Sequence, residues 1–112
     1  MNLSKALNIQ SLQNKEEIKH LLKNGQKIYT KFGLIFLQNN PTDEITKVGI
    51  LMKRSSGSAV KRNYVKRVIR NFVRNNFTLF KGHNRIIFLY NFIGVISYNH
   101  LRDEYIYALS KQ

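Results

Sequence analysis

The chain has no cysteine, only six acidic residues and no long apolar run. Without cysteine it has neither disulfides nor thiolate metal sites, which fits a reducing compartment. Without a stretch of the ~20 apolar residues needed to span a bilayer, and with an N-terminus (MNLSKALNIQ) too short in apolar residues for a signal peptide, it reads as soluble and cytoplasmic, with no membrane partner. Negative charge is the scarcest feature. The acids are Glu16, Glu17, Asp43, Glu44, Asp103 and Glu104, so every formal charge between Glu44 and Asp103 is positive. No H-x-x-x-H spacing or paired carboxylates suggest a metal or hydrolytic centre, and there are no repeats or low-complexity tracts.

What is present is positive charge, +13 over 112 residues. A balance that far from neutral predicts a polyanionic partner, and the chain length fits one domain, 1–112, with a core able to stand without staples. The cations concentrate between Lys53 and Asn76, KRSSGSAVKRNYVKRVIRNFVRNN, which holds Lys53, Arg54, Lys61, Arg62, Lys66, Arg67, Arg70 and Arg74 and no acid. Val65, Val68, Ile69, Phe72 and Val73 recur there at helical spacing. At about 100° per residue they form a core arc, while Arg62, Asn63, Lys66, Arg67, Arg70 and Arg74 fill the neighbouring arc. Lys61 falls within the apolar arc, which pattern alone does not explain. So many like charges repel one another unless a polyanion screens them, and arginine grips phosphate with paired bonds, so nucleic acid is the expected ligand.

Around this helix the order reads helix, strands, helix, strand, helix. Residues 1–13 lack a period and read as a flexible start. Asn14 and Glu17 form a capping box for a short helix carrying Ile18, Leu21 and Leu22, and Gly25 suits a left-handed stop. Lys27 to Gln38 is rich in β-branched and aromatic residues and broken by Gly33, so it reads as one bulged strand or two short ones. By strand parity Tyr29 sides with Lys27 and Lys31 on a wet face, and Phe32 and Phe36 side with Ile28 and Leu34 in the core, provided Gly33 keeps the register. The strand aromatics are either core or a platform for stacking unpaired bases.

After a turn at 39–43, Ile45 to Arg54 is a strand with Val48, Ile50 and Met52 on a core face and Lys47, Gly49, Leu51 and Lys53 on an open, ligand-facing one. Arg85 to Tyr90 is an apolar central strand, and Ser97 caps a last helix with Leu101, Tyr105, Ala108 and Leu109 on one side. Such an order gives a sheet with helices on one side and a crossover whose default hand is right. His100, Asp103 and Glu104 are the one acid–base cluster, and acids in a first helical turn also simply favour the helix dipole.

The run from Ser56 to Arg70, SGSAVKRNYVKRVIR, resembles the signature G-x-A-V-x-R-N-R-x-K-R-x-x-R of the protein subunit of bacterial ribonuclease P. Lys47-Val48-Gly49-Ile50 looks like that family's preceding strand, and the resemblance extends from Lys15 over most of the chain. It implies an α+β fold, a two-layer α/β sandwich of order αβββαβα, ribosomal-protein-like, with a left-handed βαβ crossover in place of the default. It implies a subunit that is enzymatic only within a ribonucleoprotein endonuclease. The RNA subunit is catalytic and supplies Mg²⁺, the protein has no catalytic residue, metal or cofactor of its own, and precursor tRNA is cut to its mature 5′ end. The implied partners are the ribonuclease P RNA and precursor tRNA, with no obligate protein partner.

Carried onto this sequence, the RNA-binding residues are Lys53, Arg54, Lys61, Arg62, Asn63, Lys66, Arg67 and Arg70, and the 5′-leader cleft is formed by Ile18, Leu22, Tyr29 and Lys31. Three positions depart from the family: Tyr64 replaces the second arginine of the motif, Ser55 a common lysine, and Ile18 and Leu22 the usual phenylalanines. The rival readings are a non-catalytic RNA-binding protein of ribosomal type, and an independent nuclease using His100, Asp103 and Glu104.

Overall fold

The structure, a computed structural model, describes residues 9–111. Five strands form one sheet in the order β1-β4-β5-β3-β2: β1 Ile9–Ser11, β2 Gln26–Thr30, β3 Gly33–Gln38, β4 Thr46–Met52 and β5 Arg85–Tyr90. The helices are α1 Lys15–Asn24, α2 Ala59–Asn75 and α3 Tyr98–Ser110, with 3₁₀ turns at Arg54–Ser56 and Phe77–Phe80. The α+β class and the order from α1 onward agree with the sequence reading. The flexible start does not extend through residues 9–12, because β1 pairs in parallel with β4 and Leu12 is buried. The rest of that segment, residues 1–8, lies outside the described residues.

The layers also differ from the expectation of helices on one side. Alternate strand residues feed two separate cores. Ile28, Ile35, Leu37, Ile86, Phe88 and Tyr90 pack under α2 and α3, together with Val65, Phe72 and Tyr105. On the opposite face Leu21, Phe36 and Ile87 pack with Leu12, flanked by Ile18 and Leu22 of α1. β5 supplies both cores, which is why RIIFLY is a nearly continuous apolar run. The Lys47–Leu51 face is therefore not open. Gly49 is buried against Leu12, Leu51 joins the α1 core, and Lys47 lies 3.9 Å from Glu17.

The 27–38 run resolves into two strands. β2 and β3 are an antiparallel hairpin turning at Lys31 and Phe32, with Gly33 at φ +132°; a Cβ there would meet the Leu89 carbonyl, so only glycine fits. The turn breaks the parity assumed from sequence. Phe32 and Phe36 are both buried but in opposite cores, Phe32 stacking on Tyr90 and Phe36 lying under α1. At the end of α1, Gly25 has φ −70°, so the left-handed stop is not formed. Glycine is needed there for room, since a Cβ would lie 2.6 Å from the Leu21 carbonyl oxygen.

The N-cap of α1 is half a capping box. Asn14 accepts from the Glu17 N–H, but the Glu17 carboxylate turns to Arg85 instead of back to the cap. Arg85, at 3% exposure, is the buried charge of the fold. It donates to Glu17, to Asp43 at 2.6 Å, and to the carbonyls of Ile45 and Asn84. Burial alone would depress its pKa, but the hydrogen bonds it donates to Glu17 and Asp43 outweigh that and raise it. Asp43 in turn is held below its ordinary value, first by the Ile45 N–H and then by Arg85.

A depressed carboxylate contributes stability that is complete above its unfolded value, near 3.8, and is lost as pH falls through the folded value. Chemical denaturation of wild type and Asp43→Asn across an acid series should therefore show a stability difference that is constant near neutrality and closes below about pH 4. A difference independent of pH would refute the pairing.

Candidate nucleic-acid interface

α2 begins where Gly57 (φ +138°) turns the chain out of the 3₁₀ turn and Ser58 caps the helix by accepting from the Lys61 N–H. The five residues of its core arc, Val65, Val68, Ile69, Phe72 and Val73, are all buried, each contributing roughly 1.5–3 kcal/mol of burial. This anchors the opposite arc facing outward. Asn63, Lys66, Arg67, Arg70 and Arg74 line one open concavity of about 530 Å³, with no acid in its wall. Among the described residues, ion pairs form at Lys47, Arg85 and Arg102, and none involves Lys66, Arg67 or Arg70.

The remaining expected RNA-binding residues sit around the entry to the helix. Arg62 is committed at 2.8 Å to the Gly57 carbonyl, which fixes the turn. Lys61 is explained by the same turn. Its aliphatic stem lies over Gly57, where an added Cβ would come within 2.6 Å of Lys61 Cδ, so the half-buried residue packs by its stem. Lys53 and Arg54 are exposed on the 3₁₀ turn, outside the concavity. Val60 and Tyr64, 80% and 45% exposed and one helical turn apart, make an uncharged margin beside the cationic arc.

The four residues expected in the leader cleft are not brought together. Ile18 and Leu22 are half-buried against the α1 core, and the concavity of about 270 Å³ beside them, between α1 and the sheet, is lined by Glu17, His20, Leu21, Gln38 and Arg85 instead. Tyr29 is 78% exposed on the outermost strand, β2, and Lys31 sits in the hairpin turn, its backbone N–H donating to Glu104 at 2.7 Å. His100, Asp103 and Glu104 do line a common cavity with Phe32, Phe92 and Ile96. However, Asp103 pairs with Arg102 and Glu104 accepts from the Lys31 backbone N–H, and among the described residues neither carboxylate is paired with His100. Among the described residues no three His, Asp or Glu side chains gather to hold a metal, and no helix is long and apolar enough to cross a membrane.

The sequence reading missed the Arg85 site and the membership of Tyr107 and Lys111 in a cavity with Tyr29. An arginine heading a strand buried on both faces is itself a signal, because such a charge has to find counter-ions, and two of the six acids answer it.

Fold and surface together define a small α+β protein whose central crossover helix presents an acid-free cationic face suited to a polyanion. Comparison with known proteins places it more narrowly: the ribonuclease P family matches residues 8–112, and the chain belongs to that family. It is 27% identical to the ribonuclease P protein component of Natranaerobius thermophilus over 104 residues, covering 92% of this chain and 90% of that protein. It is 33% identical to the component from Syntrophus aciditrophicus over 69 residues, covering 62% of this chain but only 57% of that one. In fold it is similar to the ribonuclease P protein of Staphylococcus aureus in a mutant form with defective mRNA degradation activity (TM-score 0.78, 18% identity, 97% and 90% of the two chains). It is likewise similar to that of Thermotoga maritima (TM-score 0.75, 19% identity, 92% and 97%).

Proposed function

We propose that this chain is the protein subunit of ribonuclease P, which binds the catalytic RNA subunit and promotes the endonucleolytic 5′ maturation of precursor tRNA. The observation that carries this reading is the concavity of Asn63, Lys66, Arg67, Arg70 and Arg74, held rigidly by the buried arc of the same helix. Arginine and lysine there neutralise phosphates of the folded RNA, and Asn63 adds a neutral donor and acceptor. The metal chemistry belongs to the RNA, which supplies Mg²⁺. The protein's part is to lower the Mg²⁺ demand by replacing counter-ions and to extend contact to the single-stranded 5′ leader.

Reconstitution tests this. Catalytic RNA at low Mg²⁺, on precursor tRNA with a leader, should be rescued by the protein, whereas protein rigorously freed of RNA should not cleave. Failure to rescue would overturn the proposal. If about six phosphates are neutralised, log affinity falls with log salt at a slope of about −4 to −5.

Tyr64 gives a finer test. Tyr64→Arg adds a cation to the margin of the basic face. It should tighten holoenzyme assembly several-fold at low salt and steepen the salt slope by about 0.7–0.9. An unchanged slope in a filter-binding titration would show that this position does not touch phosphate.

A further inference from the structure

The loop between β5 and α3 carries apolar side chains used neither by the two cores nor by the cationic face of α2. Phe92 and Ile96 turn inward, whereas Ile93 and Val95 stand out into solvent at 71% and 97% exposure. The loop is tied down. The Asn91 N–H donates to the Phe32 carbonyl at 2.9 Å, the Phe92 ring meets that of Phe32 edge-on with centres 5.0 Å apart, and a Cβ on Gly94 would lie 2.9 Å from the Phe92 ring. Two aliphatic tips held out together on a fixed loop are a surface built for contact. Beside them opens a cavity of about 750 Å³ walled by Phe32, Phe92, Ile96 and Tyr107, with Val95 on its rim.

An apolar protrusion and an apolar recess side by side on one face are self-complementary: a two-fold axis between them seats each copy's tips in the other's recess, and the assembly closes at two. Charge selects the same occupant. At +13, two copies of this chain repel one another across most of their surfaces. Here Asp103 and Glu104 stand in the cavity wall with Lys31, and Arg102 lies 3.1 Å from Asp103, so two acids are matched by two cations and the patch is formally neutral. Glu17 and Asp43 offer no second such patch, being engaged by Arg85. Turned on its own copy, this face sets lysine and arginine against carboxylates, whereas a phosphate backbone would meet the two acids and gain little from aliphatic tips. We infer that the β5–α3 loop and the cavity beside it form a self-association surface, in which Ile93 and Val95 of one copy enter the Phe32–Phe92–Tyr107 recess of a second. The surface shares no residue with the concavity of α2, and the inference does not depend on the RNA that α2 binds.

The test is sedimentation equilibrium of the full chain, freed of RNA, at moderate salt, where the repulsion between cationic faces is screened. Wild type should populate a reversible dimer as its concentration rises. Val95→Glu places a carboxylate on an almost fully exposed tip, which leaves the fold intact, and should raise the dissociation constant about tenfold or more. Val95→Leu, which keeps an apolar tip, should pair like wild type. Because the chain has no cysteine, Val95→Cys and Tyr107→Cys proteins carry one thiol each, and mild oxidation of their mixture should join the two kinds of chain in preference to either kind with itself. A monomer at every concentration, undiminished pairing in Val95→Glu, or cross-links no more frequent between the two kinds than within each would overturn the inference. So would amide resonances of residues 92–104 that shift on adding an oligouridylate but not with protein concentration, since that result assigns the face to RNA.

Discussion

Neutralising the α2 concavity, by changing Lys66, Arg67 and Arg70 together to Gln, is expected to weaken binding to the catalytic RNA about a hundredfold at moderate salt. Each lost phosphate contact also removes about 0.7–0.9 from the salt slope, so the triple variant should titrate with a slope shallower by about 2–3. The deficit should shrink as salt rises, because the wild type loses its advantage of counter-ion release. None of the three side chains belongs to the core, and none enters an ion pair among the described residues. Thermal unfolding should therefore stay where it is or rise slightly, as mutual repulsion along the helix is relieved. A triple variant that binds like wild type would move the RNA contact away from α2. One that unfolds early would show that these residues support the fold rather than a ligand.

Arg85→Met should have the largest effect on stability, about 2–4 kcal/mol, read as a lowered denaturant midpoint. Removing one partner of a buried charge cluster leaves the other charges without compensation, which is usually worth about 3–5 kcal/mol. Glu17 and Asp43 keep partial access to water, with side chains 29% and 27% exposed, and this lowers the expectation toward the smaller values. Methionine preserves most of the volume, so the loss reports charge and hydrogen bonding rather than a cavity. Arg85 joins α1, the turn before β4 and the head of β5, through Glu17, Asp43 and the Ile45 carbonyl. Its loss should therefore loosen the packing of α1 on the sheet before it disturbs α2. Hydrogen exchange should show faster amides in α1 and unaltered protection in α2. Uniform loss of protection across both helices would refute the clamp.

Local chemistry was legible wherever one element decides it. The core arc Val65–Val73, the Ser97 cap and the buried side of α3 came from helical spacing, because a side chain's direction on a helix depends only on its own position. Gly33 could be read as a break but not as a hairpin, since that depends on the partner strand whose Leu89 carbonyl excludes a Cβ. Gly25 was read as a left-handed stop, whereas its role is close approach to Leu21 and Leu37, which no local rule states. β1, three residues long, has too few positions to show a period and exists only because β4 offers an unpaired edge.

The sequence by itself determined the acid-free cationic helix, its core-facing arc and, through the motif from Ser56 to Arg70, the family. These are properties of charge and short-range spacing, carried along the chain. The tertiary structure alone decided that α1 packs on the opposite face of the sheet, that Arg85 gathers Glu17 and Asp43, and that Tyr29 and Tyr107 line one cavity at the β2 edge. Each of these joins residues distant in sequence. Their meeting depends on how two faces of one sheet share their apolar side chains, and that balance is settled only when all the layers pack at once.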